Sequence, residues 1–135
     1  MILRMDHFTI VTDQLERTQQ FYVNLLGLEA GPRPPFPVPG LWLYAKDHPL
    51  LHVIAVADMP DPRRGVLDHM AFFAQGLAET LDRLDQHAIR YRMIRAPGEI
   101  RTWQVFLKDP NDVDVELDFA PEEQPPADWK TRSKA

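Results

Sequence analysis

The chain of 135 residues contains no cysteine, which excludes disulfide bonds, thiolate zinc sites and a cysteine nucleophile. It also contains no apolar run near the ~18 residues that a membrane-spanning helix requires. The opening sequence MILRMDH leads directly into a strand pattern and is too short and too charged for a secretory signal. We therefore expect a cytoplasmic protein that does not act at a membrane.

Basic residues are outnumbered, since 15 Lys and Arg face 20 Asp and Glu and leave a formal net charge of −5. Nucleic-acid binding requires a basic surface, so this balance argues against such a partner. The apolar fraction of 44% is ordinary for a globular protein. We predict one domain over residues 1–121, followed by a polar and flexible tail over residues 122–135.

A short motif occurs twice, as MDHFTI at residues 5–10 and as LDHMAF at residues 67–72. The surrounding pattern repeats as well and predicts an α+β fold in which a β-α-β-β unit, with room for one more strand, occurs twice, at about 1–58 and 66–120. In the first module we expect a strand over 2–12, a helix that begins with a capping box of Asp13 and Glu16 and ends at Gly27, and strands over 40–47 and 49–56. In the second module we expect strands over 66–74, 89–97, 100–108 and 113–120, with a helix from Leu77 to Ala88.

Four potential metal ligands occupy matched positions in this repeat. His7 aligns with His69 at an offset of 62 residues, and His52 aligns with Glu116 at an offset of 64. Two imidazoles and a carboxylate on one side of a divalent ion form the 2-His-1-carboxylate arrangement, which leaves positions open for a substrate. His52 is then a fourth ligand or an acid/base group. Taken singly, each His also suits a hydrogen-bonded core position, and Glu116 also suits a solvated strand face.

A proline-rich stretch, GPRPPFPVPG at residues 31–40, interrupts the first module. It suits a stiff connection, because proline fixes an extended path. It also suits one wall of an apolar pocket beside the metal, with polar groups at the rim. The residues predicted to bind the substrate there are Arg33, Phe36, Trp42 and Tyr44, joined by Arg101 and Trp103 from the second module.

Three segments resemble the vicinal oxygen chelate superfamily: MDHFTIVTDQLERTQQFYVNLLGLEAG, LDHMAF and FLKDPNDVDVELDF. The resemblance implies paired βαβββ modules that form a U-shaped open barrel around a metal cleft, in a homodimer. It also implies a divalent ion of iron, manganese, zinc, nickel or cobalt. By position, the ligands implied are His7, His69 and Glu116, with His52 standing where glyoxalase I has an acidic ligand.

Several reactions occur on this scaffold, and the resemblance leaves the choice open. The His, His and Glu set favours extradiol-type dioxygenase chemistry on a small aromatic substrate, with His52 or His48 as the catalytic acid/base. A glyoxalase I-like lyase or isomerase is the first alternative. A non-enzymatic binder of a hydrophobic drug or antibiotic is the second.

Overall fold

The chain folds into two units, Met1–Arg63 and Arg64–Ala135, in a computed structural model that describes residues 1, 3–99 and 101–132. Each unit holds a four-stranded sheet and a helix that follows its first strand. The α+β class and the two repeated modules predicted from the sequence are confirmed. Among the described residues, each helix is too short or too polar to cross a bilayer.

The first unit is a mixed sheet in the order β1-β4-β3-β2. Strand β1 pairs in parallel with β4, and the other pairs are antiparallel. Helix α1 continues into a π-helical segment, Phe21–Leu25, whose Phe21, Tyr22 and Leu25 side chains are buried. The elements are β1 (Phe8–Thr12), α1 (Leu15–Gln20), β2 (Glu29–Gly31), β3 (Gly40–Ala45) and β4 (His48–Ala55).

The second unit repeats this topology in the order β5-β8-β7-β6. Leu77, Leu81 and Leu84 lie on one face of helix α2 and are fully buried, as their spacing predicts. They share the core with alternate residues of the strands, among them Val115, Leu117 and Phe119. The elements are β5 (Met70–Ala74), α2 (Leu77–Gln86), β6 (Tyr91–Arg95), β7 (Trp103–Lys108), β8 (Asp114–Phe119) and α3 (Trp129–Arg132).

The sequence placed the starts of β1 and β5 too early, because both strands begin just after the repeated Asp-His pair. The first ladder begins where Phe8 pairs with Leu51, and the second begins where Met70 pairs with Val115. The residues before these points have no ladder partner among the described residues, so the histidines stand at the strand entrances. Ile2 and Ile100, which the predicted strands included, lie outside the described residues.

The predicted capping box at Asp13 is also wrong. Gln14 is the N-cap of α1, and its side chain makes no capping hydrogen bond. The preceding Thr12 orders this turn instead, since its Oγ1 accepts a hydrogen bond from the Gln14 backbone N–H at 3.0 Å. The same hydroxyl lies 2.9 Å from Thr18 Oγ1 in the core. A buried hydroxyl pair has thus replaced the exposed carboxylate cap.

Residues 122–132, within the predicted tail, contact other parts of the second unit at several points. The Glu123 carboxylate accepts hydrogen bonds from the backbone N–H groups of Gly76 and Leu77 at the start of α2. Trp103 packs edge-to-face on Trp129 at 5.4 Å between ring centroids. Arg132 forms ion pairs with Asp82, Asp85 and Asp128. Residues 133–135 lie outside the described residues, and the flexibility of the tail stays a prediction.

Candidate functional site

The strand register gives His52 and Glu116 equivalent places in the two sheets. His52 pairs with Thr9 on one side and Trp42 on the other. Glu116 pairs with Ala71 and Phe106. His7 and His69 each stand two residues before the first of these partners. The alignment inferred from the sequence repeat is therefore reproduced by the backbone pairing.

Three aromatic rings form a stack in the first unit. The His7 ring lies 3.8 Å from the His52 ring, with 17° between their planes. The Trp42 ring lies 4.1 Å from the His52 ring on strand β4, with 8° between planes. His52 is therefore held between two flat partners, and its orientation is fixed by packing.

His52 presents a buried ring nitrogen without a partner. Its Nε2 makes no hydrogen bond with the described residues. Burial, followed by the nearby His7, lowers the His52 pKa from its ordinary 6.5. A lowered pKa favours the neutral ring, which is the form that binds a metal ion or accepts a proton.

The other histidines of the first unit are oriented by Asp6. His7 Nδ1 lies 2.7 Å from Asp6 Oδ2, which leaves Nε2 of this half-exposed ring without its proton in the neutral form. His48, at the start of β4, makes a short hydrogen bond from Nε2 to the Asp6 backbone carbonyl. His48 thus contacts the backbone beside His7.

A cavity of about 510 Å³ opens beside this stack. Of the predicted substrate-binding residues, Arg33, Phe36 and Trp42 line it, together with His7 and His52. The Arg33 guanidinium lies 5.2 Å from the centre of the Phe36 ring and donates to the Val38 carbonyl at 2.9 Å. Tyr44 is not among the lining residues, since its hydroxyl donates to the Pro32 carbonyl at 2.6 Å and holds the proline-rich loop against β3.

The second unit brings His69 and Glu116 together. His69 Nε2 lies 3.1 Å from Glu116 Oε2. On the other side of the ring, His69 Nδ1 lies 2.8 Å from Asp68 Oδ2. The hydrogen bond with Asp68, more than the charge of Glu116, raises the His69 pKa above its ordinary value. The Asp-His pairing of residues 6 and 7 is therefore repeated in residues 68 and 69.

Glu116 is buried, with only 5% of the residue exposed. Gln104 Nε2 donates to Glu116 Oε1 at 2.5 Å and to Asp118 Oδ1 at 3.3 Å. Burial, and then the negative charge of Asp118, raises the pKa of Glu116. A buried carboxylate of this kind gains most from a neighbouring positive charge, so the solvated-face interpretation of Glu116 is wrong.

The predicted substrate-binding residues Arg101 and Trp103 are not among those that line the first-unit cavity. Arg101 is exposed and has a positive φ of 50°. Trp103 Nε1 donates to the Glu123 carbonyl at 2.9 Å, and the Arg95 guanidinium lies 4.3 Å from the ring centre. Trp103 therefore contacts the C-terminal segment. Its role in substrate binding stays a prediction.

The donor chemistry of these histidines suits a divalent ion. Metal-bound histidines usually donate their second ring N–H to a carboxylate, which fixes the tautomer, and both Asp-His pairs have this contact. Among the described residues, no group of three or more His, Asp or Glu side chains is arranged to hold an ion. The ligand set of His7, His52, His69 and Glu116 stays a prediction.

Asp6, Asp68 and Gln104 are the orienting residues that the sequence interpretation did not assign. The repeated Asp-His dipeptide was the available signal for the two aspartates. Gln104 carried no local signal, because its role depends on β7 pairing with β8, where it lies opposite Asp118.

The chain is similar to known proteins in both sequence and structure. The sequence model of the Glyoxalase/Bleomycin resistance protein/Dioxygenase superfamily matches residues 4–117. A glyoxalase family protein from Bacillus anthracis is similar in structure, with a TM-score of 0.72, 19% identity and coverage of 89% of this chain and 97% of that one.

Two further solved structures share the fold. Lactoylglutathione lyase from Agrobacterium tumefaciens has a TM-score of 0.63 and 21% identity, over 87% of this chain and 94% of that one. TnmS3, an antibiotic binding protein from Streptomyces sp. CB03234, has a TM-score of 0.65 and 19% identity, over 88% of this chain and 97% of that one. No curated protein matches the chain in sequence.

Proposed function

The chain belongs to the Glyoxalase/Bleomycin resistance protein/Dioxygenase superfamily, also called the vicinal oxygen chelate superfamily, and we propose that it is an enzyme that uses a divalent metal ion. We further propose extradiol-type dioxygenase chemistry on a small aromatic substrate. The proposed ligands are His7, His69 and Glu116, with His52 as a fourth ligand or as the acid/base.

The repeated Asp-His pair is the observation that carries the proposal. Both histidines place Nδ1 within 2.8 Å of the preceding aspartate, which leaves each Nε2 as the donor to an ion. Packing does not require this repetition, because Asp6 and Asp68 are both exposed. In the second unit, the Glu116 carboxylate already faces His69 Nε2, so two donors of opposite type stand together.

Each residue of the proposed site has its own role in the reaction. A bound divalent ion would act as a Lewis acid, or, if it is iron or manganese, as a redox centre for oxygen. Asp6 and Asp68 hold the two imidazoles in one tautomer, and Gln104 holds the Glu116 carboxylate. His52 accepts a proton from a substrate hydroxyl, since burial lowers its pKa and so favours the neutral ring.

The first-unit cavity supports an aromatic substrate. Trp42, Phe36 and the His52 ring present flat or apolar surface to it, and a catechol ring can stack on such a surface. In extradiol cleavage, the carbon–carbon bond beside the diol breaks and both atoms of O₂ enter the ring-opened product. The electrons come from the substrate, so no external reductant is needed.

Metal analysis of the protein, purified anaerobically without chelator, tests the first part of this proposal. We expect about one ion per chain, and we expect His69→Ala to lose it while its far-UV circular dichroism is unchanged. His87→Ala is the matched control, because His87 is an exposed histidine at the C-cap of α2. Full occupancy in His69→Ala would contradict the metal assignment.

Oxygen uptake tests the reaction. After ferrous loading under anaerobic conditions, we expect O₂ consumption with at least one member of a catechol panel and the absorbance of a ring-opened product. His52→Gln should lower the rate and retain the ion. Absence of uptake across the panel would reject the dioxygenase and shift the assignment to glyoxalase-like chemistry on thiol adducts, which zinc or nickel in the purified protein would also favour.

The apolar cavity also favours a second candidate, a non-enzymatic binder of a hydrophobic drug or antibiotic. The whole 510 Å³ cavity is lined by residues of the first unit, so a ligand can be held there without a metal. This candidate predicts micromolar or tighter drug binding that is insensitive to chelator. Loss of binding on addition of EDTA would argue against it.

A homodimer and a cytoplasmic location complete the proposal. The dimer follows from the resemblance, and sedimentation equilibrium of the full chain tests it. The proposed location rests on the absence of cysteine, since disulfide bonds are typical of secreted proteins. Fractionation of the native source tests it.

A further inference from the structure

A second cavity, of about 490 Å³, lies on the second unit and has an unusual excess of basic side chains for a protein of net charge −5. His69 is among its lining residues, so the cavity reaches the proposed metal ligand. Four cations line it, namely Arg64, Arg90, Arg92 and Lys108.

Two of these cations are already neutralised. Arg64 pairs with Asp114. Lys108 Nζ lies 2.9 Å from Asp112 and 3.1 Å from Asp114. The remaining acidic lining residue is Asp68, which orients His69.

Arg90 and Arg92 have no carboxylate partner within the part of the chain that the structure describes. Both residues are exposed, and they stand immediately before and immediately after the buried Tyr91 in the sequence. The cavity therefore contains two guanidinium charges that are not balanced by the described residues around it.

Arg92 is also oriented for binding. Its guanidinium carbon lies 4.5 Å from the centre of the Phe106 ring. A guanidinium over an aromatic face keeps its N–H groups free at the edge, and these form two parallel hydrogen bonds with a carboxylate. Phe106, Leu107 and Val115 supply apolar surface in the same cavity.

This cation is not a by-product of the sequence repeat. Arg92 pairs with Phe106 on β7, which pairs with Glu116 on β8. In the first unit, the equivalent positions are occupied by Gly31 on β2, which pairs with Trp42 on β3, which in turn pairs with His52 on β4. The aromatic position is thus shared by both units, whereas the arginine belongs to the second unit alone.

We propose that Arg90 and Arg92 bind the carboxylate of a small organic anion whose apolar body packs against Phe106. This site is separate from the first-unit cavity of the proposed function, and it is testable on the protein without metal. A carboxylate suits the site better than a larger, more hydrated phosphate, because the surface beside the guanidinium groups is apolar.

Titration of the metal-free full chain with benzoate, monitored by isothermal titration calorimetry and by NMR, tests the site. We expect benzoate to bind and neutral benzamide to bind about tenfold or more weakly, because the charge-assisted hydrogen bonds are lost. Benzoate affinity should also fall as salt rises from 50 to 500 mM.

Arg92→Gln should weaken benzoate binding by about tenfold or more, and Arg92→Lys should restore only part of it because an ammonium group lacks the planar fork. Arg90→Gln, outside the strand, gives a second measurement if Arg92→Gln disturbs the fold. Arg17→Gln, on α1 of the first unit, removes the same charge elsewhere and should leave the affinity unchanged. Equal binding of benzoate and benzamide, an unchanged affinity in both Gln variants, or binding of phenyl phosphate without benzoate would overturn the proposal.

Different results would overturn the carboxylate site and the metal-dependent enzyme. A protein that holds its metal ion but does not bind benzoate would overturn the carboxylate site and leave the metal assignment standing. A protein that binds benzoate through Arg92 but takes up no metal would support the carboxylate site and reject the metal-dependent enzyme.

Discussion

His69 Nε2 lies 3.1 Å from the buried carboxylate of Glu116, although 47 residues of sequence separate the two side chains. The parallel pairing of β5 with β8 produces this contact, because it sets Ala71, two residues after His69, opposite Glu116. The pair combines an oriented imidazole with a carboxylate whose ionised form is destabilised by burial. Such a pair is costly for folding and is suited to binding a cation.

Glu116→Gln separates these two effects. The amide removes a buried charge but keeps the shape, so we expect an unchanged or higher midpoint of thermal unfolding in the absence of metal. Metal affinity should fall by about tenfold or more, since the proposed carboxylate ligand is lost. Asp13→Asn, at an exposed aspartate of the first unit, is the control for loss of charge and should retain the metal. A Glu116→Gln variant with lower stability and full metal affinity would contradict this assignment.

Asp68→Asn tests the orienting carboxylate. The pKa of His69 is raised mainly by its hydrogen bond with Asp68, so the variant should lower it in an NMR titration of the metal-free protein. In the wild type, a raised folded-state pKa adds stability that is complete below the ordinary value near 6.5 and is lost as pH rises through the folded-state pKa. This dependence should weaken in the variant.

The same Asp68→Asn variant should lose metal affinity by about 10–100-fold. Asp58→Asn, an exposed aspartate of the first unit, is the control and should change neither quantity. If Asp68→Asn left both the His69 titration and the metal affinity unchanged, the orienting role would be rejected.

Trp42 fluorescence should report the protonation of His52, because the two rings are stacked at 4.1 Å. Burial lowers the pKa of His52, so stability from this group is complete above pH 6.5 and is lost as pH falls through the folded-state pKa. In a background of Trp103→Phe and Trp129→Phe, we expect quenching with a midpoint below pH 6.5. His52→Gln should abolish that transition, and His48→Gln should not. A midpoint at or above 6.5 would contradict the effect of burial.

Glu123→Ala should destabilise the second unit by about 0.5–2 kcal/mol, the usual cost of losing a helix N-cap. Its carboxylate accepts hydrogen bonds from the Gly76 and Leu77 N–H groups at 3.0 and 2.6 Å and stands at the positive end of α2. Urea unfolding measures the change. Glu122→Ala, at an exposed neighbour, should fall within about 0.5 kcal/mol of the wild type, and equal effects of the two variants would reject the capping role.

The sequence by itself determined the repeat, the α+β class and the order of the elements other than β2 and α3, because apolar periodicity records which faces are buried. Leu77, Leu81 and Leu84 marked the buried face of α2 correctly, and the two Asp-His pairs marked matched positions. The superfamily was also predictable, since its motifs are local. The matched residues, 4–117, include the first two segments that carried the resemblance and the third as far as Leu117.

Only the tertiary structure decided which side chains meet. The cap of α2 by Glu123, the contact of Gln104 with Glu116 and the place of Arg92 over Phe106 all depend on pairing between segments that are distant in sequence. It also decided that β1 and β5 begin after the histidines, because a strand extends only where a partner supplies backbone hydrogen bonds. Local pattern shows what a residue can do, and long-range pairing selects its partner.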